Sequence, residues 1–76
     1  MYEVLKTIMI QDLRLNADDV RPGAGRTDAG LDSLAIVELS MVLSRRLGID
    51  VTDDELLELE TVSDIAQLIE ERVVRA

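Results

Sequence analysis

The chain has 76 residues, 47% of them hydrophobic, and a formal net charge of −8. That length implies one domain over residues 1–76, at a size where a single core is barely sufficient, and the apolar content excludes a disordered chain. With no histidine and no cysteine, it lacks the commonest acid/base group, a thiolate metal site and a disulfide framework, while its acidity repels nucleic acid and anionic membranes.

Met1 through Asn16 includes Glu3, Lys6 and Asp12, so this stretch offers no uninterrupted apolar run for export or membrane insertion. A soluble, cytoplasmic monomer with basic protein partners is expected. Tyr2 to Leu15 reads as the first helix. Val4, Leu5, Ile8, Met9 and Leu13 recur at helical spacing, opposite Glu3, Lys6, Thr7 and Gln11. Such a stripe is a core face far more often than a cofactor contact.

Asn16 to Leu31 reads as a long connection. Asn16-Ala17-Asp18-Asp19 has turn character, and Pro22-Gly23-Ala24-Gly25 does not continue a helix. Val20, Ala24, Ala29 and Leu31 are the residues available to pin it to the core. Asp18, Asp19 and Asp28 read as solvated turn carboxylates, because the Asp/Gly ladder of a calcium loop is missing. No metal site is expected.

The second helix is expected over Leu34–Leu47, ended by Gly48 at the left-handed position after a helix C-terminus. Asp32 falls at its cap and Ser33 in its first turn. A hydroxyl there looks toward unpaired backbone N–H groups and the positive end of the helix dipole, so an anion attached to it is well tolerated. Ser33 is therefore a candidate for a phosphodiester-linked group. Ile36, Leu39, Leu43 and Leu47 form one apolar stripe of this helix. Leu34, Val37 and Met41 form a second, with Glu38 beside it. One face suffices for a small bundle, so the second stripe is either a docking surface or a contact with another helix. Arg45 and Arg46 lie in the last turn, where cations favour the dipole.

Thr52-Asp53-Asp54-Glu55 has the capping-box pattern and opens a short third helix, with Leu56, Leu57 and Leu59 as its contacts. Thr61-Val62-Ser63-Asp64 repeats that logic ahead of a fourth helix carrying Ile65, Leu68, Ile69 and Val73. The expected fold is all-α: a small antiparallel four-helix bundle with three longer helices, one short third helix, and a long loop between the first two.

Asp32-Ser33-Leu34 followed by Val37-Glu38-Leu39, in an acidic chain with this order of elements, resembles the modification site of the acyl carrier proteins. The resemblance covers nearly the whole chain. It implies a carrier rather than an enzyme, with 4′-phosphopantetheine moved from coenzyme A onto Ser33 by a phosphopantetheinyl transferase. The terminal thiol of that arm would hold acyl intermediates as thioesters for fatty-acid or polyketide assembly. Acyltransferases, ketosynthases or acyl-activating enzymes are the implied partners. The missing cysteine and histidine fit, since the thiol arrives with the cofactor and the partner enzymes do the catalysis.

The same resemblance gives Asp32 a second role, contact with the transferase or its metal ion. It assigns Leu34, Val37, Glu38 and Met41 to the partner-facing surface, and Ile36, Leu39, Leu43 and Leu47 to the interior. Three departures stand out. Ser44, Arg45 and Arg46 replace residues that are usually acidic in fatty-acid carriers, which points to a specialised pathway in which Arg45 and Arg46 set partner choice. Thr52 replaces a common proline, and Gly25 and Ala29 replace larger apolar anchors, so a looser loop is expected. A peptidyl or aminoacyl carrier is the alternative within the class, although a glycine-rich approach to the serine is common there and Leu31-Asp32 stands here. An unmodified acidic interaction domain docking through Val37 and Met41 is the alternative outside it.

Overall fold

Apolar spacing and capping divide the chain into four helices in the computed structural model, which describes residues 1–75: α1 (Tyr2–Gln11), α2 (Ser33–Leu47), α3 (Asp53–Leu57) and α4 (Val62–Arg75). Together they form a small all-helical bundle. The core is aliphatic. Leu5, Ile8 and Met9 of α1, Ile36, Leu39 and Leu43 of α2, Leu56 of α3, and Ile65 and Ile69 of α4 are all buried. α4 packs on α1, and α3 on α2.

α1 is shorter than its apolar spacing implies. The amides of Asp12 and Leu13 both reach the Ile8 carbonyl, at 2.8 and 3.2 Å, and Arg14 then adopts a positive φ of 58°. The Leu15 amide returns to the Met9 carbonyl at 3.0 Å. A left-handed residue ends a helix, and here it is an arginine rather than the glycine or asparagine that would signal it. Leu13 and Leu15 still pack on the core, from this turn rather than from the helix. Val4 departs from the expected stripe and is 43% exposed. Leu57 of α3 and Val73 of α4 also face outward, which leaves Leu56 and the following Leu59 to make the contacts of α3, and Ile65, Leu68 and Ile69 those of α4.

The long connection is not loose. Val20, Ala29 and Leu31 are buried and Ala24 packs against them. The smallness of Gly25 and Ala29 is offset by backbone hydrogen bonds to the segment ahead of α4 and to its first residues. Gly25 bridges Thr61 in antiparallel fashion. Arg26 N–H donates to Glu60 O at 3.1 Å, Val62 N–H to Ala24 O at 3.0 Å, and Ser63 N–H to Pro22 O at 2.9 Å. The Arg26 Nε–H adds a bond to Leu59 O. The Tyr2 hydroxyl donates to Val20 O at 3.1 Å, tying α1 to the same loop.

Both cap patterns form. Thr52 Oγ1 accepts from Glu55 N–H at 3.2 Å, and Glu55 Oε2 accepts from Thr52 N–H at 3.0 Å. Thr61 and Asp64 make the same reciprocal pair, at 3.2 and 3.3 Å. Glu55 has a further partner that its cap pattern does not announce. Arg72 of α4 donates one guanidinium nitrogen to Glu55 Oε1 and the other to Asp50 O at 2.7 Å. α3 has only five residues, too few for independent stability, so this link fastens its start to α4.

The hydrogen bond from Arg72 holds the Glu55 carboxyl below its ordinary value, with the Thr52 backbone bond as the next cause. A depressed carboxylate contributes stability that is present above the unfolded value, about 4.3 for glutamate, and lost as pH falls through the lower folded value. Arg72→Ala should therefore lower the melting temperature at neutral pH, by an amount that shrinks as the solution is acidified below that range. Thermal melts across the acid limb check this, and a deficit unchanged by pH would contradict it.

Candidate functional site

The loop enters α2 through a succession of backbone bonds that fixes where the helix starts. Ala29 N–H donates to Gly25 O at 3.0 Å, Gly30 N–H to Thr27 O at 3.1 Å, and Leu31 N–H to Arg26 O at 2.7 Å. Gly30 has φ of 93°, and a Cβ placed there would sit 3.1 Å from Leu15 Cδ2. The positive φ calls for glycine at this corner, and any side chain would in addition press on Leu15. Leu31 is then buried, and the next three residues emerge into solvent.

Asp32 caps α2 in extended conformation, with φ of −76° and ψ of −178°. Its Oδ1 accepts from Ala35 N–H at 2.8 Å, and its carbonyl accepts the first helical bond from Ile36 N–H at 2.9 Å. Of the amides that a helix start leaves without an intrahelical partner, Ala35 is thereby satisfied by the cap. Those of Ser33 and Leu34 are left facing the mouth of the helix. Ser33 is the first helical residue and is exposed. Its hydroxyl is carried on a rigid element, beside two N–H donors and the positive end of the dipole. An anionic group linked through that oxygen meets no buried obstacle.

α2 separates its two stripes as opposite faces. Ile36, Leu39 and Leu43 are buried with Val42, and Leu47 packs against them from a half-buried position. Leu34 is 69% exposed, Met41 62% and Val37 42%, and Glu38 and Arg45 are exposed with them. Of the two readings of the second stripe, contact with another helix of the bundle is the one the structure removes. Leu34, Glu38, Met41 and Arg45 succeed each other at intervals of four, three and four residues, along one line running away from Ser33. Gly48 closes the helix with φ of 66°.

The two arginines part company. Arg46 Nε lies 3.4 Å from Asp12 Oδ2 at the end of α1, so its charge is engaged within the fold. Arg45 points along the exposed line. It lines a shallow groove with Asp12, Leu13, Glu38, Met41 and Val42. The sequence pattern of α2 contains no sign of Asp12 and Leu13 in that wall, because the end of α1, where both amides bond to Ile8 O, brings them there.

Residues 3–69 match the family described as phosphopantetheine attachment site. The chain is 33% identical over 70 residues to the acyl carrier protein of Helicobacter hepaticus, covering 91% of this chain and 92% of that relative. It is 31% identical over 71 residues to the acyl carrier protein of Wolinella succinogenes, covering 92% and 93% respectively. The acyl carrier protein of Helicobacter pylori gives 31% over 72 residues, covering 93% and 92%. Fold and match together define a phosphopantetheine-bearing helical domain. The chain belongs to the acyl carrier protein family, and 4′-phosphopantetheine is the cofactor of that family. The open helix start, with its two available amides, fits a phosphate-linked group. No helix among the described residues is long and apolar enough to cross a membrane.

Because Asp32 satisfies the cap with its side chain, Asp32→Ala should cost about 1 kcal/mol of stability, and Asp32→Asn much less. For a domain of this size that corresponds to about 4–8 °C in melting temperature for the alanine variant. Calorimetry of the two variants checks it. Equal melting temperatures for Asp32→Ala and wild type would contradict the capping assignment.

Proposed function

We propose that this protein is an acyl carrier whose phosphopantetheine arm is attached at Ser33, and that the domain, residues 1–76, works as one unit. The observation that carries this reading is the position of Ser33, exposed as the first residue of α2 within the matched region. When bound, the group supplies a terminal thiol that holds acyl chains as thioesters. The protein's own residues do the rest. Asp32 fixes the start of the helix, so that the serine oxygen stays outside the fold. It is also proposed as a contact for the phosphopantetheinyl transferase or its metal ion. No base has to activate Ser33 from within, since the transferase performs the chemistry.

Leu34, Val37, Glu38, Met41 and Arg45 are proposed as the surface that partner enzymes read, chiefly acyltransferases and ketosynthases. A flexible methionine at the middle of that surface suits several partners. The acidic balance of the chain, −8 overall, suits enzymes with basic entrances, whose approach it steers at low salt. Fatty-acid or polyketide assembly is the proposed setting, and Arg45 tilts it toward a specialised pathway. A soluble, cytoplasmic site of action accompanies that role.

Incubation with coenzyme A and a phosphopantetheinyl transferase should add one arm to the wild-type protein and none to Ser33→Ala, as read by intact-protein mass spectrometry. No addition to wild type with any of several transferases would overturn the proposal. It would leave the unmodified interaction domain, in which Val37 and Met41 matter and Ser33 does not. Malonyl transfer set beside loading by adenylating enzymes separates the acyl from the aminoacyl setting.

A further inference from the structure

Arg45 is the one cation on the exposed line of α2. Its neighbour Arg46 is turned toward α1 and paired with Asp12, which also cancels that carboxylate locally. Glu38 lies seven residues earlier, two turns or about 10 Å along the axis, beyond direct pairing with Arg45. The guanidinium stands at the edge of a groove with an apolar floor, made by Leu13, Met41 and Val42. From Ser33 to Arg45 is twelve residues of continuous helix, about 18 Å.

These facts describe a receptor for a specific kind of side chain. A polyanion is disfavoured, because Glu38 flanks the groove and the whole chain carries −8. A single carboxylate is favoured, since the planar guanidinium matches it with two parallel N–H bonds. The apolar floor beside it asks for an aliphatic or aromatic neighbour on the same partner surface.

We infer that Arg45 is a specificity-determining residue: it pairs with an aspartate or glutamate on the partner enzyme, beside an apolar residue that seats on Leu13, Met41 and Val42. This rests on the proposed carrier function. It goes beyond that function by fixing the charge pattern of the partner, which must be basic near the entrance that receives the arm and acidic about 18 Å away. Enzymes that are basic along their whole docking surface are discriminated against by Arg45.

The test uses the full chain, loaded to completion with its arm and checked by mass. The probe is whichever ketosynthase of the host organism gives the highest kcat/KM with the loaded wild-type protein. Arg45→Glu should raise KM by about tenfold or more while kcat changes little, as expected for a close charge pair turned repulsive. Arg45→Lys should recover part of the loss. Replacing the facing enzyme carboxylate with arginine should restore Arg45→Glu and impair wild type. Arg46→Gln serves as the control, expected to shift the melting temperature slightly and KM hardly at all. A KM for Arg45→Glu within twofold of wild type overturns the inference. So does an equal rise for Arg46→Gln, since that would mark a general effect on the helix end. Wild-type protein that never accepts the arm defeats the carrier reading itself, and the mass check sees that failure separately.

Discussion

The structure depends on a backbone latch between the long loop and the entry to α4, from Glu60 to Ser63. Gly25 pairs with Thr61, and the bonds from Arg26, Val62 and Ser63 lie on either side of that bridge. Most of these bonds run between main-chain groups, so they place the loop without asking for large side chains. Small residues at Gly25 and Ala29 are then an advantage, because the two segments can approach closely. Ala29 and Leu31, held from behind by the latch, are driven into the core. The chain that leaves them has one way out, through the corner at Gly30 and the cap at Asp32.

The exposure of Ser33 is a consequence of register. A slip of the whole helix by one residue against the core would rotate every position by about 100°, moving the Leu34–Met41 line toward the core and the Ile36–Leu43 line toward water. Burial of the second set resists that slip. The exposed serine and the exposed stripe beyond it are therefore set together by the same packing. An attachment point beside a docking surface, on one rigid helix, is the arrangement a carrier needs. Its arm and its recognition surface are presented to an enzyme in a fixed geometry. At the other end, Arg72 holds the start of the short α3 through Glu55 and Asp50, completing the wall on which α2 rests.

Much of this was legible in the sequence where side chains carry the signal. Asp32 as cap, Gly48 as the left-handed stop, the Thr52–Glu55 box and the buried stripe of α2 are local patterns, and all four appear in the fold. The features that escaped were tertiary or backbone-borne. The end of α1 rests on a left-handed arginine, Arg14, in place of a glycine, so apolar spacing carried the expected helix on to Leu15. Val4 fits a helical stripe by spacing but lies on the outward side once α4 covers only one face of α1. The latch has almost no side-chain signature, and the smallness of Gly25 and Ala29 suggested looseness instead. Arg45 and Arg46 look equivalent in a sequence. Their difference arises because one of them faces Asp12, just past the end of α1.

The proposed attachment of the cofactor to a single oxygen at the mouth of α2 is open to direct measurement. Fragmentation mass spectrometry of the tryptic peptide Thr27–Arg45, taken from protein purified out of its native host, reads it at the level of the residue. That peptide contains Ser33, Ser40 and Ser44, so the fragment ions choose among three serine hydroxyls and that of Thr27. The phosphopantetheine mass is expected on Ser33 alone. Its appearance on Ser40 or Ser44, or a peptide that is always bare, would contradict the assignment.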